Sequence, residues 1–261
     1  MLHQIMFSVA LITSTAFAGP ANTDLRPGKY IFDEDSGTLV IRKGEGKKLI
    51  FAIETVGGNG HMCGLTGVLS GARGRADTWS GNKTVPRCDI AFSAKGASIE
   101  VKALTAEACR DYCGMRAVFD GTYRLPPPAC TDAARQRQRD SSLNLHKARR
   151  YSEATQALQD LISHCPSFMS WKEIDQVRND IALAQYRNGE FEQCLTTLSH
   201  TLAAKVKDEE ELASGQGPVF LPPSDFDNYI PVARATWFNK SLCSKAQSTQ
   251  PKHNPNEREN P

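Results

Sequence analysis

The chain has no excess of charge of either sign. Its 31 lysines and arginines face 29 aspartates and glutamates, leaving a formal charge of +2. Binding to a phosphate backbone draws on a clustered positive field, so nucleic acid is set aside as a partner. Long apolar runs are missing as well. The one sustained stretch, residues 5–12, is much shorter than the roughly 20 residues that cross a bilayer, so no membrane span is expected. Several motifs of familiar chemistry are absent. The glycine-rich residues 57–64 lack the Lys-Ser/Thr pair that completes a phosphate loop. Ser70, between Gly67 and Gly71, lacks the five-residue spacing of a nucleophile elbow. Cys109-x3-Cys113 with Cys130 has neither the spacing of a zinc site nor a histidine close by in sequence. No catalytic residue, metal or cofactor is expected.

What is present begins with an export signal. Residues 1–18 hold the apolar run and end in the small-residue site Ala16-Phe17-Ala18, a secretory signal cut before Gly19. Its positive end is slight, with His3 beside the amino terminus. No cysteine follows the cut, so a lipid anchor is not expected there. The mature protein is expected in the periplasm of a bacterium, or secreted. All eight cysteines lie downstream of the cut. An even set in an exported chain reads as disulfides, not as thiols or ligands. Oxidation also removes the thiolate that His61-Met62-Cys63 or His164-Cys165 would need to act as a Cys/His nucleophile pair.

The pattern of apolar residues divides the chain. Over residues 24–125 they alternate: Tyr30 and Phe32; Leu39 and Ile41; Leu49, Phe51 and Ile53; Ile90 and Phe92; Ile99 and Val101. Period two marks half-buried strands. The clusters at 57–60, 71–74 and 80–82 supply turn chemistry, and the acidic run Asp33-Glu34-Asp35 reads as a solvated turn. About eight strands at this spacing give a small antiparallel barrel or sandwich. Residues 126–130, with three consecutive prolines, form a stiff spacer that can enter neither a ladder nor a helix interior.

From residue 131 to 246 the period is helical. Thr131 or Asp132 caps a first helix to about Ala148, the stretch 149–152 turns the chain, and a second helix carries Ala154, Leu158, Leu161 and Ile162 before Cys165-Pro166. A similar hairpin spans residues 173–187 and 191 to about 206, turning at Asn188-Gly189, where the glycine supplies a positive φ. The acidic cluster 208–211 extends or caps that fourth helix. A fifth helix, 225 to about 243, tolerates Pro231 because it falls in the first turn. Residues 247–261 are read as a disordered tail. The fold class is therefore α+β, a β-barrel or sandwich followed by helical hairpins.

If paired helices are antiparallel, Cys130 and Cys165 share one end of a hairpin, and Cys194 and Cys243 stand in the same relation. Both pairs are expected, each contributing about 3–4 kcal/mol in the chain-entropy account. In the β region, Cys109 and Cys113 either bridge each other or both reach back to the sheet; the favoured pairs are Cys63 with Cys88 and Cys109 with Cys113.

Two resemblances follow. The segment Tyr151-Ser-Glu-Ala154 through Leu158 to Pro166, and Gly189-Glu-Phe191-Glu-Gln-Cys194 through Leu198, resemble the second-helix half of tetratricopeptide repeats. Tyr151 and Phe191 are 40 residues apart, against the family's repeat of about 34. Leu143 and Leu183 stand where carboxylate-clamping repeats carry asparagine, so no clamp is carried over. The resemblance implies stacked helix pairs and protein contacts. The β region, by size, compartment and its Cys-x3-Cys-Gly…Phe-x-Gly-x-Tyr run from Cys109 to Tyr123, resembles the small exported barrels that inhibit lysozymes, as a class and without a matched inhibitory loop.

Together these give a non-enzymatic periplasmic protein with a protein partner, either an inhibitor or immunity factor against an envelope-attacking enzyme, or a scaffold. Candidate contacts are the basic residues Arg135, Arg139, Lys147 and Arg150, with His61 and Arg87 at the barrel mouth. The rival is a small-ligand or glycan binder, or a hydrolase, working at that mouth.

Overall fold

A computed structural model describes residues 25–32, 36–77 and 87–249. The signal segment, the acidic run 33–35, the turn cluster 80–82 and the tail beyond 249 lie outside the described residues.

Eight antiparallel strands close into one barrel, each paired to the next and the last to the first. They are β1 (Gly28–Phe32), β2 (Gly37–Lys43), β3 (Leu49–Val56), β4 (Met62–Ser70), β5 (Arg73–Ala76), β6 (Asp89–Lys95), β7 (Ser98–Ala103) and β8 (Gly121–Arg124). Alternation decides the interior: Leu39, Ile41, Phe51, Ile53, Leu65, Ile90, Phe92, Ile99, Val101 and Tyr123 all point in and are buried. An eight-stranded barrel is just wide enough for such side chains to fill it. Two glycines make room for the largest. A Cβ on Gly74 would stand 2.6 Å from the Phe92 ring, and one on Gly67 would stand 2.0 Å from the Arg75 carbonyl oxygen. Gly74 is therefore a strand residue facing the core. The turn of this hairpin is Gly71-Ala72 alone, with Gly71 at φ +59°.

The strand connections alternate between two ends. At one end lie the β2–β3, β4–β5 and β6–β7 turns. At the other lie β3–β4, β5–β6 and the long β7–β8 connection, residues 104–120. That connection opens with the short helix α1 (Ala106–Arg110) and crosses the barrel end.

After β8 the prolines lead through a single 3-10 turn into α2 (Asp132–Lys147), capped by the Thr131 hydroxyl. Next come α3 (Tyr151–His164), α4 (Trp171–Arg187), α5 (Phe191–Ser199), α6 (Glu209–Ser214) and α7 (Pro223–Thr249). Helices α2/α3 and α4/α5 are hairpins with matching turns. Arg149 and Gly189 hold the same left-handed position, φ 62° and 81°. An aromatic pair five residues apart closes each turn: His146 on Tyr151, and Tyr186 on Phe191. Cys130–Cys165 and Cys194–Cys243 are bonded as expected from the shared hairpin ends.

Three helix boundaries differ from the reading of the sequence. Helix α5 stops at Ser199 and does not run to 206, because the chain is drawn inward at the next turn: the Leu202 N–H donates to Asp175 Oδ2 and the Ala203 N–H to the Tyr229 hydroxyl. The acidic cluster belongs to α6, which Asp208 caps by accepting from the Glu211 N–H. Helix α7 starts at Pro223, which puts Pro231 inside it. The missing N–H is tolerated because Pro231 lies on the solvent face, where water can reach the carbonyl left without a donor. The helix also continues past 243 to Thr249, into the first residues, 247–249, of what reads as tail.

Candidate functional site

The chemistry of the barrel end is set by how residues 104–120 are fastened. Cys113 lies opposite Cys63 as an isolated antiparallel bridge, with the Gly64 N–H donating to the Tyr112 carbonyl and the Gly114 N–H to the Met62 carbonyl. Cys109, in the last turn of α1, faces Cys88 at the start of β6. The disulfides are accordingly Cys63–Cys113 and Cys88–Cys109. This corrects the expected pairs Cys63–Cys88 and Cys109–Cys113. One helical turn separates Cys109 from Cys113 and aims their sulfurs at different strands, so both reach back to the sheet.

Hydrogen bonds complete the attachment. Thr55 on β3, buried, donates to the Val118 carbonyl at 2.7 Å. The Tyr112 hydroxyl donates to the Asp77 carbonyl at 3.0 Å, and Asp120 accepts from the Ala103 N–H at 3.0 Å. Thr105 accepts from the Asp89 N–H and donates to the Arg87 carbonyl. Tyr123 stacks on Phe32 and donates to the Phe119 carbonyl at 2.8 Å; burial pushes its pKa well up, so it stays a neutral donor. Cys109, Tyr112, Ala117 and Phe119 pack into the same apolar cluster as the strand interiors. The crossing segment is a plug, and the barrel holds side chains where a ligand would sit.

The outer surface of this plug is apolar. Met115 is 84% exposed and Val118 65%, and Val56, Met62 and Leu104 are exposed at the same end of the barrel. Val56 and Met62 are register partners at the β3–β4 end, and Met62 is bonded through its backbone to Gly114. A shallow hollow of about 430 Å³ opens beside them, lined by Ala103, Ala106, Met115, Val118 and Phe119, with Arg110 and Asp120 at its rim. Exposed apolar side chains gathered at one end of a domain are a feature of interaction sites. Methionine suits such a surface because its flexible thioether adapts to a partner's shape.

The six candidate contact residues fall in separate places. His61 lies against Gly114, where a Cβ would approach its Nδ1 to 2.6 Å, and Arg87 is exposed next to Cys88, so both belong to the plugged end. Arg135 points inward: it is 5% exposed, its guanidinium forks onto Glu173 at 3.2 Å, and it donates to the Cys130 carbonyl. It ties α2 to α4 within the helical core. Arg139 lies 3.7 Å from Asp180 in a groove of about 370 Å³ between α2, α3 and α4, which Leu143, His146, Leu158 and Leu183 also line. Burial raises the Asp180 pKa, with Arg139 and His146 acting against that shift. Lys147 is exposed at the end of α2, and Arg150 is exposed and paired with Glu153.

Thr55, Thr105, Tyr112 and Asp120, which hold the plug, are polar residues that period-two reading passes over. Only the Phe-x-Gly-x-Tyr run hinted at them, through Phe119 and Tyr123. Among the described residues no helix is long and apolar enough to cross a membrane. The four disulfides fit an oxidising, extracytoplasmic environment. No family model, curated protein or solved structure matches the chain.

Proposed function

We propose that this protein, exported to the periplasm or beyond the cell, binds another protein through the plugged end of its barrel. In this reading it acts without catalysis, as an inhibitor or immunity factor against an envelope-attacking enzyme or as an envelope scaffold. One observation carries the reading: Met115 and Val118 are held out to solvent on a segment fastened by two disulfides. Holding apolar side chains in place before association removes an ordering cost that a flexible loop would incur on binding. The filled interior favours this over a small ligand within the barrel. The helical hairpins, with their likeness to tetratricopeptide repeats, supply a second surface of the kind that contacts proteins.

The test is retention from an envelope extract on the immobilised mature protein, beside a Met115→Asp/Val118→Asp variant. A protein retained by the native chain and lost from the variant supports the reading. Equal retention by both, or recovery of only wall fragments or a small metabolite, overturns it.

A further inference from the structure

The two ends of the barrel differ in charge. At the end opposite the plug, Arg42, Lys43 and Lys48 flank the β2–β3 turn, Arg73 stands at the β4–β5 turn and Arg124 ends β8. All five are exposed, and among the described residues none of them is joined in an ion pair. The acids described beside them are Glu45, and Glu100 and Asp132, which are already matched to Lys95 and Lys29. The plugged end instead mixes the signs, with Asp77, Glu107 and Asp111 among Arg87, Arg110 and Arg116. Near-balance over the whole chain therefore conceals a local excess of positive charge.

Lysines often guard the open edge of a sheet, but a closed barrel has no edge to guard. In strand order the five cations run from β8 through β1 to β5, six of the eight strands, and so follow most of the rim. Charges spread round a blunt rim converge on no single small anion. They suit a flat field of many anionic groups, where each Lys or Arg strengthens attachment to an anionic bilayer about fivefold. The course of the chain adds to this. Residues 1–24 join the barrel at Leu25, on this end, and a cut before Gly19 leaves the new, positively charged amino terminus six residues from Leu25. The helical region leaves the five exposed: it meets this end through Asp132 on Lys29 and reaches the opposite end where Ser224 of α7 lies beside Gly60. We propose that the basic end of the barrel rests, without inserting, on the anionic phospholipid headgroups of a membrane surface, with the plugged end turned away from it.

Flotation of the mature, oxidised full chain with phosphatidylcholine vesicles holding about 30% phosphatidylglycerol, beside vesicles of phosphatidylcholine alone, tests this. Attachment to the anionic vesicles only is expected at about 0.05 M salt, and its loss at about 0.5 M, where charges are screened within about 4 Å. Arg42→Gln/Arg73→Gln is expected to weaken attachment about 25-fold, and Lys43→Gln/Lys48→Gln by about the same factor; should either pair fail to fold, checked by circular dichroism and disulfide mapping, the other decides. Arg110→Gln/Arg116→Gln, at the plugged end, should leave attachment unchanged. No attachment at low salt overturns the proposal, as does equal attachment to the neutral vesicles or an equal loss from the plugged-end pair. So does tighter binding to a soluble acidic polymer of equal phosphate concentration. Retention of a protein partner by the Met115 and Val118 surface is read separately, so failure here leaves that reading standing.

Discussion

The barrel and the helical region solve the same packing problem with opposite chemistry. Inside the barrel the strand side chains are apolar almost throughout, with Thr55 as the buried polar exception at the plugged end. The helical core instead buries Arg135, Asp175, Asn179, Gln185, Thr236 and Asn239. Asn179 donates to Thr236 and accepts from Asn239, joining α4 to α7. Asp175 accepts from the Tyr229 hydroxyl, the Leu202 N–H and Arg178. The difference lies in what fixes the alignment. In a sheet the backbone ladder sets which residue faces which, and an apolar interior then suffices. Packed helices share no such ladder and slide more freely, so paired polar groups at defined positions select one arrangement.

That contrast can be broken at several points. The largest effect is expected from Asp175→Ala, which strands the Tyr229 hydroxyl proton and the Leu202 N–H and leaves Arg178 with only the His200 carbonyl to bond. A cost of about 3–5 kcal/mol is expected for such a buried group, read as a lowered urea midpoint; a midpoint within error of the parent would mean the polar network does not hold the helices. Replacing Cys88 and Cys109 together by alanine should remove about 3 kcal/mol from the barrel and, with the plug loosened, abolish retention of the partner. Thr55→Val, close in shape, should cost about 1–2 kcal/mol by leaving the Val118 carbonyl unpaired, and a neutral result would assign the plug's rigidity to the sulfurs alone.

Opposite in sign, Arg149→Gly should stabilise the first hairpin by about 1 kcal/mol, since glycine adopts the left-handed conformation without the penalty a side chain incurs. Calorimetry would show the rise in Tm. The smallest effect is electrostatic. The Arg75 hydrogen bond lowers the Asp89 pKa, and Lys29 does the same for Asp132. A carboxyl whose folded pKa is depressed contributes stability at pH above its ordinary value, about 4, and loses it as pH falls through the folded value. A shallow decline below pH 4, flatter in Asp132→Asn, is expected; both pairs are substantially exposed, so it should be minor.

Where backbone periodicity carried the information, the sequence was readable: the strands, the two helical hairpins and the pairs Cys130–Cys165 and Cys194–Cys243 follow from which residues end which helix. The barrel pairs were not readable, because Cys113 meets Cys63 through a register between β4 and a connection with no periodicity of its own. Asp175 and Asn179 read as ordinary surface residues of a helix; only the later position of Tyr229 and Asn239 on α7 makes them core. Pro231 was misplaced by assuming that a proline marks a helix start, when the start was another proline, Pro223. His61 and Arg87 lie at the same end of the barrel as Met115 and Val118, but Met115 and Val118 themselves gave no signal, since nothing local distinguishes an exposed apolar residue from a buried one.

The order of the sulfurs along the chain has a consequence for biogenesis. In the helical region each cysteine is joined to the next in sequence, so linkages made as the polypeptide emerges are already correct. In the barrel one crosslink encloses the other, 63 with 113 around 88 with 109. A chain threaded amino terminus first and oxidised as it appears would join 63 to 88 and trap the wrong topology. For a chain oxidised in that order, the nested pair forms only if oxidation is delayed until residue 113 has arrived or if thiol exchange undoes the early link.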